Sequence, residues 1–248
     1  MRIAKALALA GVDSRRKCEA HVLAGKVSVN GQTVLDLGRQ VDPDHDAVIF
    51  DGKRVLFEKP VYFLLNKPVG YTTTADDPHA EKTVYDLLPP KLVPAGSHAR
   101  TDRTRVFPVG RLDKDSTGLL LFTNDGELAN RLTHPRYEVA KWYEAELDRT
   151  LEAPDRERLL RGVRLEEGPA RAERVQTLSS KLVRVMIREG KKREIRRMFE
   201  AVGYRVTALC RIAFGPLEIG NLQAGRGRFL TTREVEQLRQ SGSDFVSD

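Results

Sequence analysis

The chain has 248 residues, with 42 lysines and arginines against 35 aspartates and glutamates, a formal charge of +7. That balance favours a polyanionic partner over an acidic small substrate, and the length allows a small domain followed by a medium one, or a single large one. No apolar run approaches the roughly 20 residues that a membrane helix needs, and the basic N-terminus lacks the apolar block and cleavage site of a signal peptide. Two distant cysteines, Cys18 and Cys210, suit reduced packing positions better than a disulfide or a metal site, which points to the cytoplasm.

Ile3, Ala6, Leu7 and Ala10 recur at helical spacing, Gly11 supplies a left-handed stop, and Ser14 is placed to cap a second helix from Arg15 to about Ala24. Val27 and Val29 then alternate, Asn30-Gly31 signals a type I′ hairpin, and a strand from Ala47 to Phe50 leads into Asp51-Gly52. The segment running up to Pro60 reads as the exit from a small domain covering residues 1–58.

From Val61 to Leu65 a short apolar strand precedes Asn66-Lys67-Pro68, and Ala75 to Arg105 reads as a long surface loop with one short helix near Val84 to Leu88. Strands are expected at Leu119 to Thr123, around Tyr143, Ala145 and Leu147, at Val183 to Ile187, and at Val206 to Arg211. Helices are expected over Glu127 to Leu132 and Arg193 to Val202, and Thr231 with Glu234 matches a capping box ahead of a last helix. This is an α+β chain, with a second domain over 59–240 and an expected disordered tail over 241–248.

The opening 31 residues hold Arg2, Lys5, Arg15, Arg16, Lys17 and Lys26 against only Asp13 and Glu19. A helix N-terminus at Ser14 flanked by guanidinium groups suits phosphate, although a solvated basic face is the ordinary reading of any charge cluster. The pattern Arg2-Ile3-Ala4-Lys5, Gly11-Val12-Asp13-Ser14-Arg15-Arg16 and Gly25-Lys26-Val27-Ser28-Val29-Asn30-Gly31 resembles the RNA-binding domain named after the fourth small-subunit ribosomal protein. The resemblance implies RNA contacts at Arg2, Lys5, Ser14, Arg15, Arg16 and Lys26.

The segment Gly110-Arg111-Leu112-Asp113-Lys114-Asp115-Ser116 places two aspartates in a polar loop ahead of an apolar strand. Alone, these would be turn and cap residues. The segment resembles the second motif of the pseudouridine synthases that modify ribosomal RNA, which implies Asp113 as the catalytic carboxylate and Arg111 as the residue that helps fill the vacated base stack. Lys141-Trp142-Tyr143 resembles that family's basic-x-Tyr strand, implying that Tyr143 meets the target base. Gly190-Lys191-Lys192-Arg193-Glu194-Ile195-Arg196-Arg197-Met198-Phe199 resembles the third motif. There Arg196 is implied as the partner of Asp113, Leu209 as packing on the flipped base, Ile195 as a further pocket residue, and Lys191, Lys192 and Arg193 as RNA contacts.

The family's fold implies a mixed, largely antiparallel central sheet flanked by helices and loops. Its reaction breaks the bond from ribose to uracil N1 and remakes it to carbon 5, with no metal, nucleotide or redox cofactor. Glu194, where glutamine is commoner in the wider superfamily, resembles the subgroup acting on large-subunit ribosomal RNA. The expected partner is thus ribosomal RNA or a ribosome-assembly intermediate, engaged by a monomer. Two alternatives stay open: a non-catalytic RNA-binding assembly factor, and a hydrolase pairing Asp113 with Asp115, although carboxylates so close in sequence poorly suit opposite faces of one sugar.

Overall fold

The computed structural model describes residues 1–43, 45–57, 59–74, 81–94 and 103–241. It divides into two compact units, the first being Met1–Val61 with Pro89–Phe107 and Thr123–Gly126, and the second Tyr62–Leu88, Pro108–Phe122 and Glu127–Asp248.

In the first unit, α1 (Ile3–Leu9) and α2 (Arg15–Leu23) precede β1 (Val27–Val29), β2 (Gln32–Thr33), β3 (Val48–Phe50) and β4 (Lys53–Arg54). The strand order is β2-β1-β3-β4. Ile3, Leu7, Cys18, Val22, Val27, Val29 and Val48 form its core, and each buried aliphatic of this size contributes about 1.5–3 kcal/mol. Asn30 and Gly31 both have positive φ, 51° and 81°, as a type I′ turn demands. Asp51 and Gly52 repeat the device at 49° and 76°, so the strand expected to end the domain turns back into β4. Ser14 does stand at the N-cap of α2 but its side chain makes no capping bond; Asp13 Oδ1 instead accepts the Ser14 N–H at 2.8 Å.

The remaining elements are β5 (Tyr62–Lys67), β6 (Leu92–Pro94), β7 (Thr104–Pro108), β8 (Ser116–Thr123), α3 (Gly126–Thr133), β9 (Lys141–Leu147), α4 (Ala153–Arg161), β10 (Val163–Leu165), β11 (Gly168–Ala170), β12 (Arg174–Thr177), β13 (Leu182–Ile187), α5 (Glu194–Ala201), β14 (Val206–Phe214), β15 (Leu217–Glu218), β16 (Gly227–Phe229) and α6 (Thr232–Gln240). The central sheet runs β12-β13-β9-β14-β8-β5-β16. Its described registers are antiparallel except for β14 against β8, which pair in parallel with Leu209 opposite Ser116 and Arg211 opposite Gly118. The sheet is therefore mixed and largely antiparallel, as expected.

β5 and β8 lie inside the sheet and are almost wholly buried, which is why Leu119-Leu120-Leu121-Phe122 reads as a continuous apolar run. Within the loop expected over Ala75 to Arg105 the short helix near Val84 to Leu88 forms as a single 3-10 turn, Val84–Leu87, and the segment also holds β6 and the start of β7, which pair in parallel; residues 75–80 and 95–102 fall outside the described part. The stretch between β9 and β13 holds α4 and the β10–β11 hairpin, both unmarked in the sequence because α4 buries a single leucine, Leu159, and its helical stripe is correspondingly faint. Gly225-Arg226-Gly227 leads into β16, tied to α6 by Arg228, whose guanidinium meets the Glu234 carboxylate at 2.9 and 2.6 Å. The Thr231–Glu234 capping box forms. All but the first residue of the expected tail lies outside the described residues.

Candidate active site

The loop from Gly110 to Asp115 enters β8 and is held from behind by β5 and the segment after it. Thr73 Oγ1 donates to the Leu112 carbonyl at 2.8 Å and accepts the Leu112 N–H at 3.3 Å. The Gly70 N–H donates to the Lys114 carbonyl at 2.8 Å. Lys67, with none of its surface exposed, donates from Nζ to the carbonyls of Ser116 (2.7 Å), Asp113 (2.9 Å), Pro68 (3.2 Å) and Lys114 (3.4 Å). Burial lowers its pKa to about 8, against the pull of the Asp115 and Asp113 charges. The loop's main chain is thus fixed before any ligand arrives, while the Asp113 side chain remains 39 % exposed.

Asp113 borders a cavity of about 930 Å³, a size suited to a nucleotide-scale ligand. Arg111, Tyr143, Leu209 and Ile195 share its wall, as do Lys191, Lys192 and Arg193. Tyr143 on β9 and Leu209 on β14 are buried at 8 % and 7 % exposure, and Ile195 lies in the first turn of α5. Residues from a loop, two strands and a helix therefore meet around one space.

The pairing of charges differs from expectation. None of the described ion pairs joins Arg196 to Asp113, and Arg196 does not border the cavity. Its Nη2 lies 3.1 Å from Asp115 Oδ2 and 3.2 Å from the Asp115 carbonyl, and its Nη1 donates to the Val206 carbonyl at 2.7 Å. Arg193 is the cation on Asp113, at 3.9 Å, and it also reaches Asp115 at 3.3 Å. The cause is local: Arg193 is the N-cap of α5 in the left-handed region, φ 50°, a conformation that costs a non-glycine residue about 1 kcal/mol or more and projects its side chain back over the loop.

The sequence did not single out Lys67, Lys141 or Arg211. Lys141 donates from Nζ to the carbonyls of Arg188 (3.1 Å), Glu189 (3.1 Å) and Val139 (3.3 Å), so it fastens the approach to α5. Burial, with the nearby Arg211 charge, lowers it to about 8. Glu194 is 4 % exposed and accepts the Lys191 N–H at 3.0 Å; burial raises its pKa. The signal for Lys67 was a cation closing the apolar strand Tyr62-Phe63-Leu64-Leu65-Asn66, where only a satisfied charge is tolerated.

In the first unit Arg2, Ser14, Arg15, Arg16 and Lys26 are exposed and Lys5 is half-buried. Ser14, Arg15 and Arg16 crowd the start of α2, whose free N–H groups add to their positive field.

A loop carboxylate, a strand tyrosine and a ring of cations around a nucleotide-sized cavity, in a chain that begins with a basic helical module, describe an RNA-modifying enzyme. Known proteins agree. Residues 61–201 match the RNA pseudouridylate synthase family and residues 1–46 the S4 domain. The chain is 41 % identical over 244 residues to the ribosomal large subunit pseudouridine synthase B of Bacillus subtilis, covering 96 % of this chain and 95 % of that one. It is 40 % identical to an RNA pseudouridine synthase of Aquifex aeolicus, covering 96 % and 93 %. A crystal structure of a pseudouridylate synthase superposes with a TM-score of 0.66 at 28 % identity, covering 96 % and 99 %. The chain belongs to the RNA pseudouridylate synthase family, an isomerase family, and carries an S4 domain at its N-terminus.

Proposed function

We propose that the protein converts a specific uridine of ribosomal RNA, in the large subunit, to pseudouridine, with Asp113 as the catalytic carboxylate. The observation that carries this is the placement of the Asp113 side chain on a preformed cavity whose wall includes Tyr143 and Leu209. The name of the Bacillus subtilis relative supports large-subunit RNA as the substrate.

A stacked base is out of reach, so the uridine is flipped into the cavity at a cost of a few kcal/mol, which phosphate contacts and packing in the pocket offset. Tyr143, Leu209 and Ile195 enclose the ring, and Arg111, exposed beside the entrance, fills the gap left in the helix. Asp113 acts as nucleophile, on the sugar carbon or the ring, or as base on a sugar proton, with the Arg193 guanidinium 3.9 Å from its carboxylate. Arg196 works one step removed, by holding Asp115 and so the loop. Residues 1–58 supply RNA affinity through Arg2, Lys5, Ser14, Arg15, Arg16 and Lys26, residues 59–240 carry the chemistry, and Lys191 and Lys192 add phosphate contacts at the rim. The protein works as a monomer in the cytoplasm, on free RNA or an assembly intermediate.

The test is tritium release from ribosomal RNA labelled at uracil carbon 5. Wild type should release tritium and Asp113→Asn essentially none; equal release would remove Asp113 from the mechanism, and free uracil would favour a hydrolase. Mapping the product onto small-subunit RNA would overturn the choice of subunit.

A further inference from the structure

The cavity holds a polar group to which the proposed reaction so far gives no task. Arg211 is 2 % exposed yet borders the cavity. Alternation along β14 puts it on the face of Leu209, and its cross-strand partner on β9 is Tyr143. Its Nε donates to the Leu119 carbonyl at 2.7 Å. Neither terminal nitrogen makes a hydrogen bond among the described residues; Nη2 is closed off by its surroundings, whereas Nη1 is not. An unpaired N–H on a nearly buried guanidinium is costly, and Arg211, unlike the other arginines with unpaired nitrogens, borders a cavity from which an acceptor can reach it.

The surrounding charge has the same sign. Arg211 Cζ lies 5.2 Å and Lys141 Nζ 6.0 Å from the centroid of the buried Phe214 ring, and neither cation forms an ion pair among the described residues. Glu194, whose charge acts on Lys141, is itself pushed toward its neutral form by burial. The backbone is shaped for the placement. A β-bulge follows Arg211 on β14, and a Cβ at Gly118 would lie 2.2 Å from the Arg211 carbonyl oxygen. Bulges beside sites of this kind re-aim a side chain.

We infer that Arg211 is a catalytic residue: its Nη1 donates to a carbonyl oxygen of the flipped uracil and stabilises the negative charge the ring holds while detached from ribose, with Lys141 adding to the field. This rests on the reading of the cavity as a uridine site. When the bond from ribose to N1 breaks, its electron pair goes to the ring, whose charge spreads over N1, carbon 5 and the two carbonyl oxygens. The same pair then forms the bond from carbon 5 to ribose, the carbon 5 hydrogen leaves as a proton and N1 takes one up, so no electrons are gained or lost. The detached anion accepts a hydrogen bond better than neutral uracil does, so Arg211 binds the reacting state more tightly than the substrate, which is what accelerates a step.

A structural role for Arg211 is separable by the chemistry of the ring. Fluorine at carbon 5 withdraws charge, so a 5-fluorouracil ring needs less help from the protein; once rejoined to ribose at carbon 5 it keeps the fluorine, and water adds across carbon 6 and N1 in place of the proton loss. Target RNA carrying uridine or 5-fluorouridine is to be converted under single-turnover conditions by wild type, Arg211→Lys and Arg211→Met, with consumption of the nucleoside read by nuclease digestion and chromatography and RNA affinity measured alongside. The expected result is unchanged affinity, a loss of about 100-fold on uridine for either variant, and a loss of about tenfold or less on 5-fluorouridine. Equal losses on both rings, a loss confined to affinity, or no loss would overturn the proposal. In wild type the two rings should react within a few-fold of each other because the protein already carries the charge; a much faster fluorinated ring would also overturn it. That comparison decides the matter if the variants melt below assay temperature. Failure of wild type to convert uridine at all would instead refute the underlying isomerase reading.

Discussion

The ammonium of Lys67 sits 2.9 Å from the main-chain carbonyl of Asp113 and 2.7 Å from that of Ser116, so one buried cation spans the start and end of the loop that presents the carboxylate. In Lys67→Met the carbonyls lose their common donor while the side-chain volume is nearly kept. We expect the single-turnover rate to fall by about 10- to 100-fold with RNA affinity unchanged, because only the aim of Asp113 is disturbed. An unchanged rate would show that Thr73 and Gly70 hold the loop unaided.

The pH profile follows from Lys67 and Lys141, both held at about 8, below the ordinary lysine value of 10.5. Each loses a donor as pH rises through about 8, so the logarithm of the rate should fall with a slope approaching about −2 in wild type and about −1 in Lys67→Met. Stability runs the other way. The folded values lie below the unfolded ones, so these groups add stability as pH climbs from about 8 toward 10.5 and forfeit it as pH falls back through about 8. Denaturant titrations across that window should show wild type gaining on Lys67→Met.

Arg196 and Arg193 should separate in a stability assay. Arg196, with 11 % of its side chain exposed, serves Asp115 and Val206 together, and Arg196→Ala should cost about 2–3 kcal/mol in urea denaturation. Arg193 is 43 % exposed and 3.9 Å from Asp113, so Arg193→Ala should cost under about 1 kcal/mol while lowering the rate. Matching stability losses would contradict the division of labour between them.

For the N-terminal unit the informative variable is salt. Arg15 and Arg16 are exposed, and the contact of Arg15 with Glu19 is a solvated pair at 3.7 Å. Replacing both arginines by alanine should leave the melting temperature unaltered and flatten the plot of log affinity against log salt by about 0.7–0.9 for each phosphate that is no longer neutralised. An unaltered slope would place the RNA elsewhere on the protein.

The sequence made much of this visible. Period-two burial in β9 and β13, the Asn30-Gly31 turn and the Thr231–Glu234 capping box are local patterns, and local patterns survive in one dimension. The meeting of Asp113, Tyr143 and Leu209 on one cavity was legible through resemblance to a family, since no spacing rule links a loop to a strand nearly a hundred residues on. Two kinds of feature escaped. The cation on Asp113 depends on a left-handed backbone at Arg193, which nothing in Lys191-Lys192-Arg193 announces. A buried cation such as Arg211 looks like any surface charge until the carbonyl that it meets is known.

The parallel pairing of β14 with β8 matches Leu209 to Ser116 across more than ninety intervening residues, whereas β1 and β3 in the first unit pair across about twenty. Closing so long a loop is slow relative to local pairing, and on the ribosome it must wait for the later strand to emerge. The basic N-terminal unit has its short-range partners at hand from early in synthesis, but the cavity needs Phe214 and everything before it. In the order of birth of the chain, the capacity to hold RNA precedes the capacity to alter it.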